Sequence, residues 1–158
     1  SINHGEVPEQ PYLYDDVSWG AMACSGVIAP ELYRGMTVRG AAVLTNSASL
    51  DTMGLGMEYH YQARDMAVLH AVANARPFAQ SARGGLSYII DQNGHYVAQT
   101  GERGYKFIEG AVQANTTKTF YTVWGDWVVW VSGAIVLGTW LTSSAMVRMF
   151  WATHSRKE

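Results

Sequence analysis

The sequence predicts an α/β domain followed by one membrane-spanning helix, and two observations lead to this prediction. Apolar runs typical of strands alternate with helical patterns between Val17 and Ala114, and the 21 residues from Trp127 to Val147 carry no charge. An α-helix of that length measures about 31 Å, which is the thickness of a bilayer core. We therefore expect three parts: a partial α/β domain at 1–119, a transmembrane helix at 120–151 and a short tail at 152–158.

The composition is that of one folded domain. The 158 residues are 48% hydrophobic and 15% charged, and they include a single cysteine. Charged residues are rarer than the average of about 25% in soluble proteins. These properties exclude disordered chains, collagen-like repeats and disulfide scaffolds. The net charge of −2 gives no electrostatic reason to expect binding to nucleic acid.

The first half of the α/β domain is expected to hold two strands and one helix. The helix is indicated by Pro30 and Glu31, which stand where a first helical turn favours them, and by Gly40 after its last residue. Short apolar runs on either side predict buried strands. The expected elements are a loop at 1–16, a strand at 17–24, the helix at 28–39, a strand at 41–45 and a loop at 46–56.

The second half is expected to hold a longer helix, a hairpin and a last strand. Met66, Leu69 and Val72-Ala73 recur at helical spacing and are expected on one side of the helix, which Pro77 closes. Asn93-Gly94 between two β-rich runs is a strong hairpin signal. The expected elements are a helix at 57–75, strands at 87–90 and 96–100, and a strand at 107–114.

Strand, helix, strand and helix, followed by a hairpin and another strand, make up an α/β layer. This layer has too few elements to cover both faces of its sheet, and it corresponds to half of a sandwich. An uncovered apolar face requires a partner. We therefore expect an upstream segment or a companion polypeptide to supply the rest of the fold.

Basic residues set the expected orientation of the membrane helix. Arg148, Arg156 and Lys157 follow the uncharged stretch closely, whereas 120–130 contains no Lys or Arg. The positive-inside rule then places the C-terminus in the cytoplasm and the bulk of the chain on the extracytoplasmic side of the cell membrane. Tryptophans near both ends of the stretch fit an interfacial aromatic belt.

Cys24 is the strongest candidate for a catalytic residue, because it is the only cysteine in the sequence and it ends an apolar strand. Ser25-Gly26 and a predicted helix follow it. The carboxyl ends of strands are where α/β sheets carry their sites. Backbone N–H groups at the start of a helix can stabilise a thiolate or an oxyanion. The alternative interpretation is a buried cysteine that serves as a small hydrophobic residue.

The other chemistry-bearing residues give weaker signals. The five histidines show neither an HExxH motif nor Cys/His ligand spacing, so we expect no metal site and no cofactor. Glu58 and His60 could lie near a site at the start of their helix, and a solvated helix end is the alternative. Arg76 is expected to close the same helix and to pair with a carboxylate.

Taken in chain order, several short stretches resemble the C-terminal half of the carbon–nitrogen hydrolase (nitrilase) superfamily. They are similar to its nucleophile strand, the start of the next helix, a strand that ends in an Asn-bearing loop beside the site, a helix end, a turn and a hairpin. Gly125-Asp126-Trp127 resembles the entry to the last helix of the membrane-bound apolipoprotein N-acyltransferases within this superfamily. The other matching stretches are Ala23-Cys24, Pro30-Glu31-Leu32, Ala42 to Ser47, Ala75-Arg76-Pro77, Gly85-Leu86-Ser87 and Asp91 to Gly94.

This resemblance implies half of a nitrilase-type αββα sandwich and a Glu–Lys–Cys triad whose Cys becomes acylated. In the family the Glu acts as a base and the Lys stabilises the developing oxyanion. Both precede the Cys along the chain, so Cys24 alone is carried over as a catalytic residue. The implied partners are a phospholipid or other acyl donor, a membrane and the remaining half of the fold.

Three functions are compatible with the sequence. The first is a membrane-bound N-acyltransferase that forms an acyl-thioester on Cys24 and transfers the acyl group to an amine of a lipoprotein. The second is a nitrilase-type amidase, with water as the acceptor. The third is a non-catalytic, membrane-anchored subunit with a degenerate nitrilase fold. Gly26 and Ala73 favour the third function, because the family carries acidic residues at these positions.

Overall fold

A computed structural model describes the backbone of residues 10–49, 57–101 and 106–154, and the side chains of these residues except 57 and 144–154. The chain divides into two compact units, residues 1–123 and 124–158. The first unit contains a β-sheet with helices, and the second contains one long helix.

Six strands form one mixed sheet, and their order in the sheet follows their order in the chain. The second, third and fourth strands are parallel to one another, and the outer strands are antiparallel to their neighbours. The strands are β1 (Tyr12–Tyr14), β2 (Val17–Ala23), β3 (Val43–Ser49), β4 (Phe78–Arg83), β5 (Tyr88–Ile90) and β6 (Tyr96–Gln99).

The helices begin and end largely where local sequence signals place them. The first begins with a proline and has an acidic residue in its first turn, as predicted. The predicted hairpin also forms, around the positive-φ residue Gly94. The helices are α1 (Pro30–Val38), α2 (Met57–Asn74), α3 (Phe120–Trp124) and α4 (Trp127–His154), and a 3₁₀ turn occupies Cys24–Ile28.

The edge strand β1 lies within the loop predicted at 1–16, so that prediction is wrong at Tyr12–Tyr14; residues 1–9 lie outside the described part of the chain. Asp15 and Asp16 connect β1 to β2 and have φ values of +49° and +59°. A two-residue hairpin turn of this kind needs positive φ at both positions, and Asp tolerates that conformation better than most residues. The Asp pair is therefore a turn signal.

The core lies between helices α1 and α2 and one face of the sheet, which makes a two-layer α/β arrangement. Gly20 of β2 permits close packing of α1, because a Cβ at this position would lie 2.9 Å from the Cβ of Met36. Alternate residues of the central strands point to this face, and pairing in register aligns them across the sheet. The buried residues that form this apolar cluster are Val27, Tyr33, Met36, Ala41, Leu44, Ala63, Ala67, Ala71, Phe78, Leu86, Tyr88 and Ile90.

Helix α2 packs on the core through small residues. Ala63, Ala67 and Ala71 follow one another at intervals of four and are buried, so they form one stripe of the helix. Leu69 and Val72 are 60% and 48% exposed. Leu69 and Val72 therefore do not belong to the buried face, because the alanine stripe is the face that allows the helix to approach its neighbours closely.

The parallel centre of the sheet extends beyond the predicted strands. β3 continues to Ser49, so the predicted loop at 46–56 is wrong over its first residues, and 50–56 lie outside the described residues. β4 is not among the expected elements, although its Phe78 is fully buried. Buried polar residues, Asn46 in β3 and Gln80 in β4, interrupt the apolar pattern from which strands are predicted.

The strand predicted at 107–114 does not form. Residues 106–119 have no regular secondary structure, and they cross the face of the sheet opposite the helices. A Cβ at Gly110 would lie 3.3 Å from Cδ1 of Ile89, and the N–H of Asn115 donates to the carbonyl of Ala42 at 3.2 Å. The prediction is wrong because a segment that crosses the face of a sheet makes isolated contacts with it. An edge strand would instead form a regular series of backbone hydrogen bonds with its neighbour.

Arg76 joins this crossing segment to α2 and to the sheet. Its side chain is 1% exposed. Nε donates to Ala41 O at 2.6 Å, and Nη1 donates to the carbonyls of Thr117 (2.6 Å), Asn74 (3.2 Å) and Ala75 (3.1 Å). The carbonyls at a helix C-terminus carry partial negative charge, which suits a cation. Among the described residues the predicted carboxylate partner is not found, and these four bonds all end on backbone carbonyls.

His70 of α2 is buried and holds the 3₁₀ turn. Its Nε2 lies 2.7 Å from the carbonyl O of Val27, and its ring packs against Tyr33 and Phe78. Burial lowers the pKa of the imidazole, and the Val27 carbonyl and the Glu31 carboxylate offset part of that effect. The ring is therefore neutral near pH 7, with Nε2–H donating to the carbonyl.

The long helix α4 contains the whole uncharged stretch 127–147. Within the residues that the structure describes, however, no helix is both long and apolar enough to cross a membrane. The predicted span at 120–151 is also not one helix, because α3 ends at Trp124 and Gly125, with φ of +58°, separates it from α4. The transmembrane prediction is therefore not supported, nor is the orientation based on it. Residues 155–158 of the predicted tail lie outside the described residues.

Removal of the Arg76 guanidinium should destabilise the protein strongly. Arg76→Met leaves four carbonyls without their donor, and an unpaired buried acceptor costs about 1–3 kcal/mol. We expect the free energy of unfolding of the full-length protein, measured by urea denaturation, to fall by about 3 kcal/mol or more. Arg76→Lys should also destabilise, because an ammonium cannot reproduce the planar fork of donors.

Arg64→Met is the matched control for this prediction. Arg64 is only partly buried, and its guanidinium lies 2.9 Å from the carboxylate of Asp65. Loss of such a surface pair should cost less than about 1 kcal/mol. Equal destabilisation by the two substitutions would contradict the role assigned to Arg76.

The stability of the protein should depend on pH through His70. Because folding lowers the pKa of His70, the unfolded chain binds more protons than the folded chain below the unfolded value of about 6.5. The free energy of unfolding should therefore decrease as the pH falls below that value. His70→Gln should flatten this decrease, because an amide can donate to Val27 O and does not titrate. Parallel pH profiles of wild type and variant in urea denaturation would show that His70 is not the group responsible.

Candidate active site

Cys24 lies where β2 ends and the 3₁₀ turn begins. Ala23 is still extended, with φ of −128° and ψ of 147°, whereas Cys24 has φ of +53°. This is the left-handed region, which L-residues with a side chain rarely adopt. The chain therefore turns sharply at Cys24, and its free thiol is partly buried.

A left-handed backbone at a non-glycine residue costs about 1–2 kcal/mol and persists only where the surrounding structure enforces it. Among the described residues, Asp15, Asp16 and Ala75 share this property, but they lie in a hairpin turn or directly after a helix, where it is common. Cys24 lies instead at a strand-to-helix turn. Turns of this type expose the nucleophile of α/β-hydrolases.

The turn after Cys24 is tight because Gly26 packs against β2. A Cβ at Gly26 would lie 3.0 Å from the Cβ of Met22, and the carbonyl of Gly26 accepts the N–H of Ala29 at 3.0 Å. A larger residue would require Met22 to shift. The glycine at this position therefore fits the tight turn after Cys24.

Two buried amide side chains connect to the backbone of Cys24 on the side of the sheet that packs against α1 and α2. Asn46 of β3 is 3% exposed, and Gln80, its paired residue on β4, is 5% exposed. Asn46 Nδ2 donates to Cys24 O at 3.2 Å and to Gln80 Oε1 at 3.0 Å. Gln80 Nε2 donates to Leu86 O at 3.3 Å. A continuous chain of hydrogen bonds therefore connects the Cys24 carbonyl to the segment after β4.

The sequence predicts Asn46 at the start of a loop, and the family resemblance predicts that this loop lies beside the site, whereas the structure places Asn46 within β3. Gln80 is not among the candidates from the sequence. A signal for both was present. Each polar residue lies two positions after a large apolar residue of a central strand, Leu44 or Phe78, and both of these are fully buried. By the period of two in a strand, Asn46 and Gln80 then point into the same core and require hydrogen-bond partners.

The face of the sheet opposite the helices carries a cleft of about 590 Å³. Its floor consists largely of small side chains of the central strands, and the segment that begins at Lys106 borders it. Cys24 is not among its lining residues. The residues of its floor include Ala21, Thr45, Ser47, Ala79 and Ser81.

The remaining candidates from the sequence have other surroundings. Glu58 is exposed at the start of α2, whereas His60 is 6% exposed and its Nδ1 has no partner among the described residues. The carbonyl of Ala73 accepts the hydroxyl of Thr119 at 2.5 Å. Within the described part of the chain, no hydrogen bond joins Glu58 or His60 to Cys24, and no group of three metal-ligating side chains occurs.

Comparison with known proteins adds an independent line of evidence. The sequence matches the profile of the carbon–nitrogen hydrolase family over residues 5–121, more than half of the chain. An apolipoprotein N-acyltransferase from Gloeobacter violaceus is 30% identical over 105 residues, which are 66% of this chain and 20% of that protein.

Solved structures share the fold. A carbon–nitrogen hydrolase from Helicobacter pylori G27 superposes with a TM-score of 0.58 at 19% identity, over 64% of this chain and 42% of that one. An amidase from Nesterenkonia sp. superposes with a TM-score of 0.50 at 18% identity, over 59% of this chain and 37% of that one. These likenesses confirm a nitrilase-like α/β fold with a mixed sheet.

The chain spans less than half the length of each of these relatives. Residues 5–121, which match the family profile, contain the mixed sheet, both crossover helices and the sharp turn at Cys24. The chain belongs to the carbon–nitrogen hydrolase (nitrilase) superfamily.

Proposed function

We propose that this chain is part of a nitrilase-superfamily N-acyltransferase in which Cys24 is the nucleophile. The observation that carries the proposal is the left-handed turn that holds a free thiol at the carboxyl end of a parallel strand. Membership of the family supports nucleophilic catalysis by a cysteine. The 30% identity to an apolipoprotein N-acyltransferase supports acyl transfer as the reaction class.

The reaction would have two steps. First, the Cys24 thiolate attacks the ester carbonyl carbon of the donor, a C–S bond forms, the ester C–O bond breaks, and the alcohol leaves after taking up a proton. Second, an amine attacks the thioester carbonyl, a C–N bond forms and the C–S bond breaks. The proton lost by the amine restores the Cys24 thiol.

We propose a phospholipid as the acyl donor and an amine of a lipoprotein as the acceptor. The acceptor follows the name of the curated relative, which acts on an apolipoprotein. Each CH₂ of an acyl chain favours the apolar phase by about 0.8 kcal/mol, so a long-chain donor resides in a bilayer. The reaction would therefore take place at a membrane surface.

The base and the oxyanion-stabilising group of the reaction would come from the rest of the protein. Small residues such as Ala79 and Ser81 leave the second face of the sheet partly exposed, and such a face can pack closely against another sheet. We propose that the remaining half of a nitrilase-type sandwich covers this face, either from the same reading frame or from a companion polypeptide. It would bring the family's Glu and Lys to Cys24.

Trapping of the acyl-enzyme tests the proposal. The full-length protein is incubated with phosphatidylethanolamine vesicles in the absence of an amine acceptor, and the peptide that contains Cys24 is analysed by mass spectrometry. We expect this peptide to gain the mass of one acyl chain and to lose it in hydroxylamine, which cleaves thioesters. An added amine should also release the acyl group, as an amide.

Cys24→Ser is the matched control, because it changes one atom and keeps the fold. A serine hydroxyl is far harder to ionise than a thiol, so the variant should form no adduct. If phospholipid leaves Cys24 unmodified while propionamide acylates it and yields the free acid, the protein is an amidase. If neither compound acylates Cys24, the chain belongs to a non-catalytic subunit and the proposal is overturned.

A further inference from the structure

We infer that Asn46 is a positioning residue for the Cys24 nucleophile and that Gln80 fixes the orientation of the Asn46 amide. The inference rests on the proposed function and names two side chains that contribute to it. It is drawn from the hydrogen bonds of Asn46 Nδ2, at 3.2 Å to Cys24 O and at 3.0 Å to Gln80 Oε1.

A single arrangement of the two amides satisfies this hydrogen-bond chain. Its two ends, Cys24 O and Leu86 O, are backbone carbonyls and can only accept. Asn46 must therefore turn its NH₂ group toward Cys24, and Gln80 must turn its NH₂ group toward Leu86. The oxygen of Gln80 then faces the second N–H of Asn46. Rotation of either amide by half a turn would oppose two acceptors, so Gln80 locks Asn46 in the orientation that binds Cys24.

This orientation has a cost at Asn46. Its Oδ1 is buried and has no hydrogen-bond partner among the described residues. An unpaired buried acceptor is destabilising, because it loses its hydrogen bonds to water. A residue needed only to fill space would be apolar, as Leu44 and Ala48 are on the same face of β3. A costly polar group beside a strained backbone is typical of functional sites, where such strain is part of the mechanism.

The bond would act on the thiol through the backbone. The carbonyl oxygen of Cys24 is rigidly linked to its Cα, so a fixed oxygen helps to fix the left-handed conformation and the direction of the side chain. Without the bond, the residue can relax toward negative φ and displace Sγ. A displacement of about 1 Å can lower a reaction rate about 100-fold. Loss of Asn46 should therefore slow acylation without weakening the binding of the substrate.

Acylation of the full-length protein by 4-nitrophenyl butyrate tests this inference. The thiolate attacks the ester carbonyl carbon, the C–S bond forms, and the C–O bond to 4-nitrophenolate breaks, so the released anion reports the rate. Mass spectrometry confirms that Cys24 carries the butyryl group. In Asn46→Ala we expect the maximum acylation rate to fall at least about tenfold and the half-saturating ester concentration to change by less than about twofold.

Substitutions of Gln80 provide a second and independent readout. Gln80→Leu removes the acceptor that orients Asn46 and should also lower the maximum rate. Gln80→Glu should retain most of the rate, because burial keeps the carboxyl neutral, and a neutral carboxyl can accept from Asn46 and donate to Leu86 O. The double variant Asn46→Ala/Gln80→Leu should be no slower than Asn46→Ala, since both residues act through one bond.

Asn74→Ala is the matched control for a loss of stability. Asn74 is fully buried and donates to the carbonyl of His70 at 3.1 Å. Its removal should lower the melting temperature without changing acylation, at a temperature where every variant is folded by circular dichroism. If Asn46→Ala does not fold, the maximum acylation rates of Gln80→Leu and Gln80→Glu test the positioning role instead.

The outcomes separate this inference from the proposed function. If wild-type Cys24 is not acylated, both are overturned. If wild-type Cys24 is acylated, and the Asn46 and Gln80 variants react like Asn74→Ala, only the positioning role is overturned. A change in the half-saturating concentration with an unchanged maximum rate would also contradict positioning, because it would place Asn46 in substrate binding.

Discussion

The hydrogen bond from Asn46 Nδ2 to the carbonyl of Cys24 is the contact on which the geometry of the candidate site depends. It joins the end of β2 to β3 at the point where the backbone becomes left-handed. Gln80 extends the connection to β4, so the turn that carries the thiol is held by three parallel strands. A reactive group supported by packed strands is placed more accurately than one on a free loop. The left-handed conformation of Cys24 persists because the three hydrogen-bonded strands hold the turn in place.

The helical layer supports the same turn from the other side. His70 of α2 binds the carbonyl of Val27 within the 3₁₀ turn, and its lowered pKa keeps the ring neutral so that it can donate this bond. At the end of α2, Arg76 binds the carbonyl of Ala41, just before β3, and that of Thr117 in the crossing segment. One helix therefore connects the turn, the start of the sheet's central strand and the segment that crosses its second face.

Elements with local signals could be predicted from the sequence. Pro30 and Gly40 bounded α1 closely, Asn93-Gly94 gave the hairpin, and Cys24 was placed correctly at the end of a strand. Features that depend on tertiary packing were not predicted. Leu69 is more hydrophobic than the alanines of α2, yet the alanines face the core because close packing requires small residues. The φ of Cys24 and the partners of Asn46 and Gln80 depend on strand pairing, and no local pattern encodes them.

The most direct test of whether the fold activates Cys24 is its rate of alkylation by iodoacetamide. The second-order rate constant is measured near neutral pH for Cys24 in the full-length protein and for an unfolded peptide of residues 17–34, with mass spectrometry of the Cys24 peptide in both. Because the two share the local sequence, any difference comes from the folded structure. We predict that Cys24 in the protein reacts at least about tenfold faster than in the peptide. An equal or lower rate in the protein would contradict the assignment of Cys24 as the nucleophile.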